Sequence, residues 1–137
     1  MSDSPARKPW WRRWFGSRSE RAAARFLRRL GWHLIRRNYT CPYGEIDIVA
    51  VEGRTVVFVE VRSTGTCNEQ RTAESVDLEK QKRLTKLALH FLQEQRLLEN
   101  AARFDVLTVT WPAGQREPSI VHYRQAFEAV GRFQLFS

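Results

Sequence analysis

Cysteine is scarce in this chain. Of its 137 residues only Cys41 and Cys67 carry thiols, and neither stands in a C-x-x-C pair or beside a histidine. That excludes a disulfide-built scaffold and a thiolate zinc site, and both read as free thiols of a reducing cytoplasm. Seven glycines and five prolines are too few for a collagenous or low-complexity chain, while an aromatic content of 12% argues against global disorder. The longest apolar runs, such as Val56 to Val59, cannot span a bilayer, and the basic N-terminus lacks the apolar stretch a signal peptide needs. Phosphate-loop, dinucleotide, nucleophile-elbow and H-E-x-x-H motifs are all missing. His33, His90 and His122 fall on three different elements and read as partly buried structural imidazoles.

What the chain does have is positive charge in one place. Its net charge is +8, yet residues 1–37 hold eleven Lys and Arg against Asp3 and Glu20, and the remainder is close to neutral. Segregated charge of this kind marks a surface that meets polyanions. Nucleic acid, DNA in particular, is the leading partner, and an anionic membrane surface is the second. Candidate contacts are Arg12, Arg13, Trp14, Arg25, Arg29, Arg36 and Arg37. Residues 1–16, with Trp10, Trp11, Trp14 and Phe15 among basic residues, read as an arm outside the core. It could stack on bases, lie on headgroups, or be a plain poorly ordered tail. Residues 17–137 read as a single domain.

Within that domain a helical pattern runs from Ser19 until Gly31 stops it, with Ala22, Ala23, Phe26, Leu27 and Leu30 on one face. Strand signals follow at Trp32 to Arg36, Glu45 to Val51 and Thr55 to Arg62, with Gly53 at the last turn. A second helix is expected from Glu74 to Arg96, then a strand from Phe104 to Trp111 and an edge strand from Ile120 to Arg124. The order predicts an α/β layer arrangement.

The second and third strands carry the chemistry. Alternation sorts Ile46, Ile48 and Ala50 with Val57, Val59 and Val61 onto one apolar face. The opposite face is apolar near the turn (Val49, Val51, Val56, Phe58) and charged at its far end (Glu45, Asp47, Glu60, Arg62). A pairing whose position numbers sum to 107 sets Asp47 opposite Glu60 and Glu45 opposite Arg62, and a one-residue slip would mix both faces. Two carboxylates facing each other across strands, with Cβ atoms about 5 Å apart, repel. A hard divalent cation relieves this, and Mg²⁺ characteristically uses one or two carboxylates plus water and a phosphate. The competing interpretation is a solvated, charged strand end. Lys80, four residues from both Val76 and Leu84, shares the inward stripe of the second helix.

The runs Gly44-Glu45-Ile46-Asp47-Ile48-Val49 and Val57-Phe58-Val59-Glu60-Val61-Arg62, with Lys80, Arg83-Leu84 and Arg103-Phe104-Asp105-Val106, resemble the YraN family of small bacterial proteins. That family is regarded as part of the PD-(D/E)xK nuclease-like superfamily, and the resemblance covers about Ser19 to Val109. It implies a restriction-endonuclease-like three-layer core: a helix, a three-stranded meander, a helix, and one or two further strands in a mixed central sheet. It also implies Asp47 and Glu60 as metal-binding acids with Glu20 as a further ligand for Mg²⁺ or Mn²⁺; Glu45, on the same charged strand face, is a further candidate ligand. Arg62 stands where the superfamily usually has Lys, and Lys80 where a basic residue of the second helix faces the site. Asp47, Glu60, Arg62 and Lys80 are the candidate catalytic residues. Two functions follow as expectations: a Mg²⁺-dependent endonuclease acting on DNA, on branched or single-stranded intermediates, or a non-catalytic nucleic-acid-binding accessory protein that kept the fold.

Overall fold

The structure, a computed structural model, describes residues 10–64 and 78–127, with side chains described over 18–63 and 78–126. Helix α1 spans Trp10–Arg29 and is followed by strands β1 (His33–Cys41), β2 (Gly44–Glu52) and β3 (Thr55–Thr64). Helix α2 (Leu78–Glu94) leads to β4 (Ala102–Thr110) and β5 (Ser119–Phe127). The five strands form one sheet in the order β1-β2-β3-β4-β5. Only β3 and β4 run parallel, because α2 connects them by a crossover; the other neighbours are antiparallel.

The side-chain sorting on β3 sets the layers. Val57 and Val59 pack with Ala23, Ala24 and Leu27 of α1, while Val56 and Phe58 pack with Leu84, Leu87 and Phe91 of α2. Successive strand residues face opposite ways, so the two helices cover opposite faces of the sheet. The result is a three-layer α/β fold, consistent with a restriction-endonuclease-like core.

The β2–β3 register pairs Ile48 with Val59 and Val49 with Phe58, the register that the alternation requires. Its two-residue loop has Gly53 at φ 63° in the first loop position, where a type II′ turn places glycine. Gly31, at φ 90°, closes α1. The Trp32 amide donates to the Leu27 carbonyl over 3.1 Å and the Gly31 amide to Arg28 over 2.9 Å, the paired bonds of a Schellman cap.

Several boundaries differ from the sequence reading. Helix α1 starts at Trp10 rather than Ser19: no proline interrupts it, and Gly16 inside a helix costs only about 1 kcal/mol. The β1 strand runs on to Cys41, past a bulge between Leu34 and Arg36 and a left-handed residue, Asn38, at φ 54°. The expected start of α2 at Glu74 lies outside the described residues, as does Cys67. Cys41 is a free, half-buried thiol.

One side chain changes sides. Ile46 packs with Tyr39, Phe58 and α2 rather than with Ile48 and Ala50. The β2–β3 ladder ends at Ile48 and Val59, so the start of β2 is held by β1 alone. Ile46 there goes with its register partner Tyr39, whose ring meets Phe91 edge to face at 5.1 Å.

Candidate functional site

The site begins where that ladder stops. In place of a further backbone pair, the Val61 amide donates to Asp47 Oδ2 over 2.8 Å. This amide belongs to the peptide joining Glu60 to Val61, so the Asp47 carboxylate rests against the backbone of the second acid. Asp47 is buried at the open end of the β2–β3 pair. Glu60 and Arg62 alternate with Val61 and share the side of Phe58, facing α2.

From α2, Lys80 Nζ donates to Glu60 Oε2 over 2.7 Å. Arg62 Nε stands 4.0 Å from the same oxygen. The structure therefore brings Asp47, Glu60, Arg62 and Lys80 to one end of the sheet. Two cations of the protein itself flank Glu60, Lys80 in direct contact and Arg62 at the limit of an ion pair. Among the described residues no group of three or more His, Cys, Asp or Glu side chains that could hold a metal ion is present.

Glu20 and Glu45 are placed differently. Glu45 is half-buried and pairs in register with Thr40 of β1. Glu20 is buried on α1, the helix on the opposite face. Its neighbour Ser19 ties α1 to this end of the sheet: the Trp111 Nε1–H donates to Ser19 Oγ over 2.9 Å, and Ser19 Oγ donates to Ser63 Oγ over 2.9 Å. The Arg18 guanidinium lies 3.6 Å above the Trp111 ring.

The donor set suits a hard cation in kind. Asp47 and Glu60 offer carboxylate oxygens, and Mg²⁺ needs only one or two of these when water and substrate phosphate complete its octahedron. If bound, the ion would be held by Asp47 and Glu60 and would supply polarisation of a phosphodiester and a lowered pKa for bound water. With a phosphate at the site, Arg62 and Lys80 would be the cations placed to anchor it or to stabilise its charge.

The basic candidates divide between the two faces. Arg25 and Arg29 are exposed on α1. Arg37 pairs with Ile48, on the α1 side, whereas Arg36 pairs with Val49 and lies 5.5 Å over the Tyr39 ring on the α2 side. Arg12, Arg13 and Trp14 are helical in backbone, and their side chains lie outside the described residues.

A second charged group was not assembled by the sequence reading, which named Arg103 and Asp105 only within the family resemblance. Asp105 on β4 is fully buried and uses both oxygens. Arg103 Nε donates to Oδ1 over 3.0 Å, Arg103 Nη2 to Oδ2 over 3.2 Å, and the Gln125 amide to Oδ1 over 2.9 Å, while His122 Nε2 lies 2.8 Å from Oδ2. Arg103 also meets Glu52 at 2.6 Å, and Arg124 meets Glu52 at 2.7 Å. Both guanidiniums flank the Trp32 ring, at 5.3 and 5.7 Å. Burial alone would push the Asp105 carboxyl up, but the bonds from His122, Arg103 and Gln125 outweigh it and hold it below the usual range. Glu52 is likewise lowered, chiefly by Arg124. The available signal was charge at every second position: Arg103 with Asp105, and His122 with Arg124, in strands otherwise apolar on that side.

No helix among the described residues is long and apolar enough to cross a membrane. The fold is that of a three-layer α/β protein, consistent with a restriction-endonuclease-like core, with Asp47, Glu60, Arg62 and Lys80 at one end of its sheet. Residues 19–109 match the family described as "Uncharacterised protein family UPF0102". The chain is 43% identical to a UPF0102 protein of Rhodopirellula baltica over 119 residues, 85% of this chain and 71% of that one. With a UPF0102 protein of Geobacter metallireducens it shares 42% identity, covering 82% of this chain and 91% of the relative. The figure for Moorella thermoacetica is 40%, covering 85% and 97%. The chain belongs to the UPF0102 family, which is the YraN family.

Proposed function

We propose that the protein is a Mg²⁺-dependent endonuclease-like phosphodiesterase acting on DNA, with Asp47 and Glu60 as metal ligands and Arg62 and Lys80 as phosphate-facing cations. The observation that supports it most is the Asp47 side chain taking the place of a ladder bond at Val61. An acid built into the end of a strand pair, against the peptide of a second acid, is oriented by the fold itself and not by solvent. Branched or single-stranded DNA is the substrate class that this reading favours.

One observation supports a second reading, a DNA-binding accessory protein without catalysis. The bond between Lys80 and Glu60 at 2.7 Å makes the acid pair electrically tolerable without any metal. The two readings differ in a melting experiment. Under catalysis, Mg²⁺ raises Tm by ligand linkage, by about 2.7 kcal/mol of stability at a hundredfold excess over Kd. Asp47→Ala abolishes that rise and all cleavage of duplex, single-stranded, flapped and branched DNA. The same substitution costs about 1.5–3 kcal/mol in metal-free buffer, because the Val61 amide loses a charged acceptor. A wild-type protein that binds DNA, shows no Mg²⁺-dependent Tm and cleaves none of these substrates is the accessory protein.

A further inference from the structure

From Arg21 to Gly44 the sequence contains no Asp or Glu but six arginines. The structure puts five of them on one side of the sheet. Arg21, Arg25, Arg28 and Arg29 are all exposed on α1. At 3.6 residues per turn they fall within about 100° of helix arc and extend over about 12 Å. Arg37 is exposed on β1 and shares the α1 side through its pairing with Ile48. Arg25, Arg28 and Arg29 make no ion pair among the described residues. Exposed positive charges clustered without an acid in their own segment make a surface that attracts polyanions.

A lipid surface is a poor match for this stripe. An interfacial helix must lower an apolar face into the headgroups, but among the described side chains of α1, Ala22, Ala23, Ala24 and Leu27 are at most 4% exposed, and Ala23, Ala24, Leu27 and half-buried Phe26 pack on the sheet. A narrow linear stripe matches a linear polyanion. One strand of a duplex presents a phosphate about every 3.4 Å of axis, so about 12 Å of helix meets three or four.

We propose that Arg21, Arg25, Arg28, Arg29 and Arg37 form a phosphate track for the backbone of nucleic acid, on the face of the sheet opposite Glu60 and Lys80. The nucleic-acid occupant rests on the function proposed above. Ser19 fixes one end of α1 to Ser63, one residue past Arg62, so the track starts at the end of the sheet that bears the acids and runs away from it. DNA gripped there reaches Glu60 by passing the strand ends beside the Ser19–Ser63–Trp111 contact. Affinity and chemistry thus occupy opposite faces and separate by mutation.

The test measures binding of the full chain to a 30-nucleotide DNA, single-stranded and duplex, by fluorescence anisotropy across a salt series. In Arg25→Gln/Arg28→Gln/Arg29→Gln, the slope of log K against log salt becomes shallower by about 1 for each arginine that contacts phosphate, about 3 in all. The triple lysine variant keeps the slope. Circular dichroism melting of the glutamine variant stays at the wild-type Tm, since all three side chains are exposed. An unchanged slope in a folded glutamine variant overturns the track, as does loss of binding to phosphatidylserine vesicles with DNA binding intact. Wild-type protein that fails to bind either DNA at 50 mM salt overturns it too. Asp47→Ala separates this proposal from the previous one: a salt slope that still depends on the arginines, with no cleavage by wild type, keeps the track and removes the nuclease. Cleavage with an unchanged slope does the reverse.

Discussion

Two charged groups lie on opposite faces of the same sheet, and they are built to different standards. On the α1 side, Asp105 is sealed and both of its oxygens are bonded, with Arg103 and Arg124 joined through Glu52. On the α2 side, Glu60 retains contact with solvent, and both cations approach a single oxygen, Oε2. Burying a charge is costly unless its hydrogen-bonding capacity is filled. The α1-side group meets that condition and staples β5 and β2 to β4. The α2-side group lies at the open end of the β2–β3 pair and leaves Glu60 partly exposed.

Removing the centre of the sealed group has the largest effect. Asp105→Ala leaves Arg103 and the Gln125 amide without their acceptor and should cost about 3–5 kcal/mol, read as a lowered urea midpoint. If the loss is instead comparable to that of Asp47→Ala, the distinction between a sealed and an open group collapses.

Acid should probe the same contrast more gently. Asp105 and Glu52 are both held below their ordinary carboxylate values in the folded protein. A lowered folded-state pKa adds stability that is fully present above the unfolded value, near 4, and is lost as pH falls through the folded value. Urea midpoints should therefore be flat above about pH 5 on account of these two groups and decline below about pH 4. Asp105→Asn should flatten that decline.

The smallest effect sharpens the open side. Lys80→Gln removes one partly exposed ion pair and should cost no more than about 1 kcal/mol without metal. It should lower the Mg²⁺ concentration giving half-maximal thermal stabilisation, because the ion no longer displaces an ammonium from Glu60. A higher Mg²⁺ requirement would mean that Lys80 supports the metal-binding geometry instead of competing with it.

The β2–β3 register was legible because one face had to be wholly apolar and Gly53 marked the turn, so a slip of one residue was excluded before any coordinates. The layer order followed from the same alternation. Ile46 was misplaced because the alternation breaks just past the last β2–β3 pair, where β1 carries the left-handed Asn38 (φ 54°) between the Arg37–Ile48 and Tyr39–Ile46 pairs. The start of α1 was obscured by Gly16 and the tryptophans, which read as an arm although nothing there forbids a helix. Strand parity put Asp47, Glu60 and Arg62 at one end of the hairpin, but the direct contact of Lys80 with Glu60 could not be read, since it depends on how far α2 lies from β3. Arg103 and Asp105 were read only as part of the family resemblance; their cluster with Glu52, His122 and Arg124 was not legible because three strands contribute to it and β5 lies beyond the matching motifs.

The bond from the Val61 amide to Asp47 also gives the molecule a built-in spectroscopic reporter. An amide hydrogen that leans on a carboxylate instead of a neighbouring strand takes its chemical shift and its exchange rate from the state of that carboxylate. Occupation of Asp47 by an ion draws electron density from the acceptor, and protonation removes it. A single backbone resonance, Val61 in a ¹⁵N-labelled sample, should therefore move on Mg²⁺ addition and be silent in Asp47→Ala, with Val57 and Val59 on the same strand as internal references.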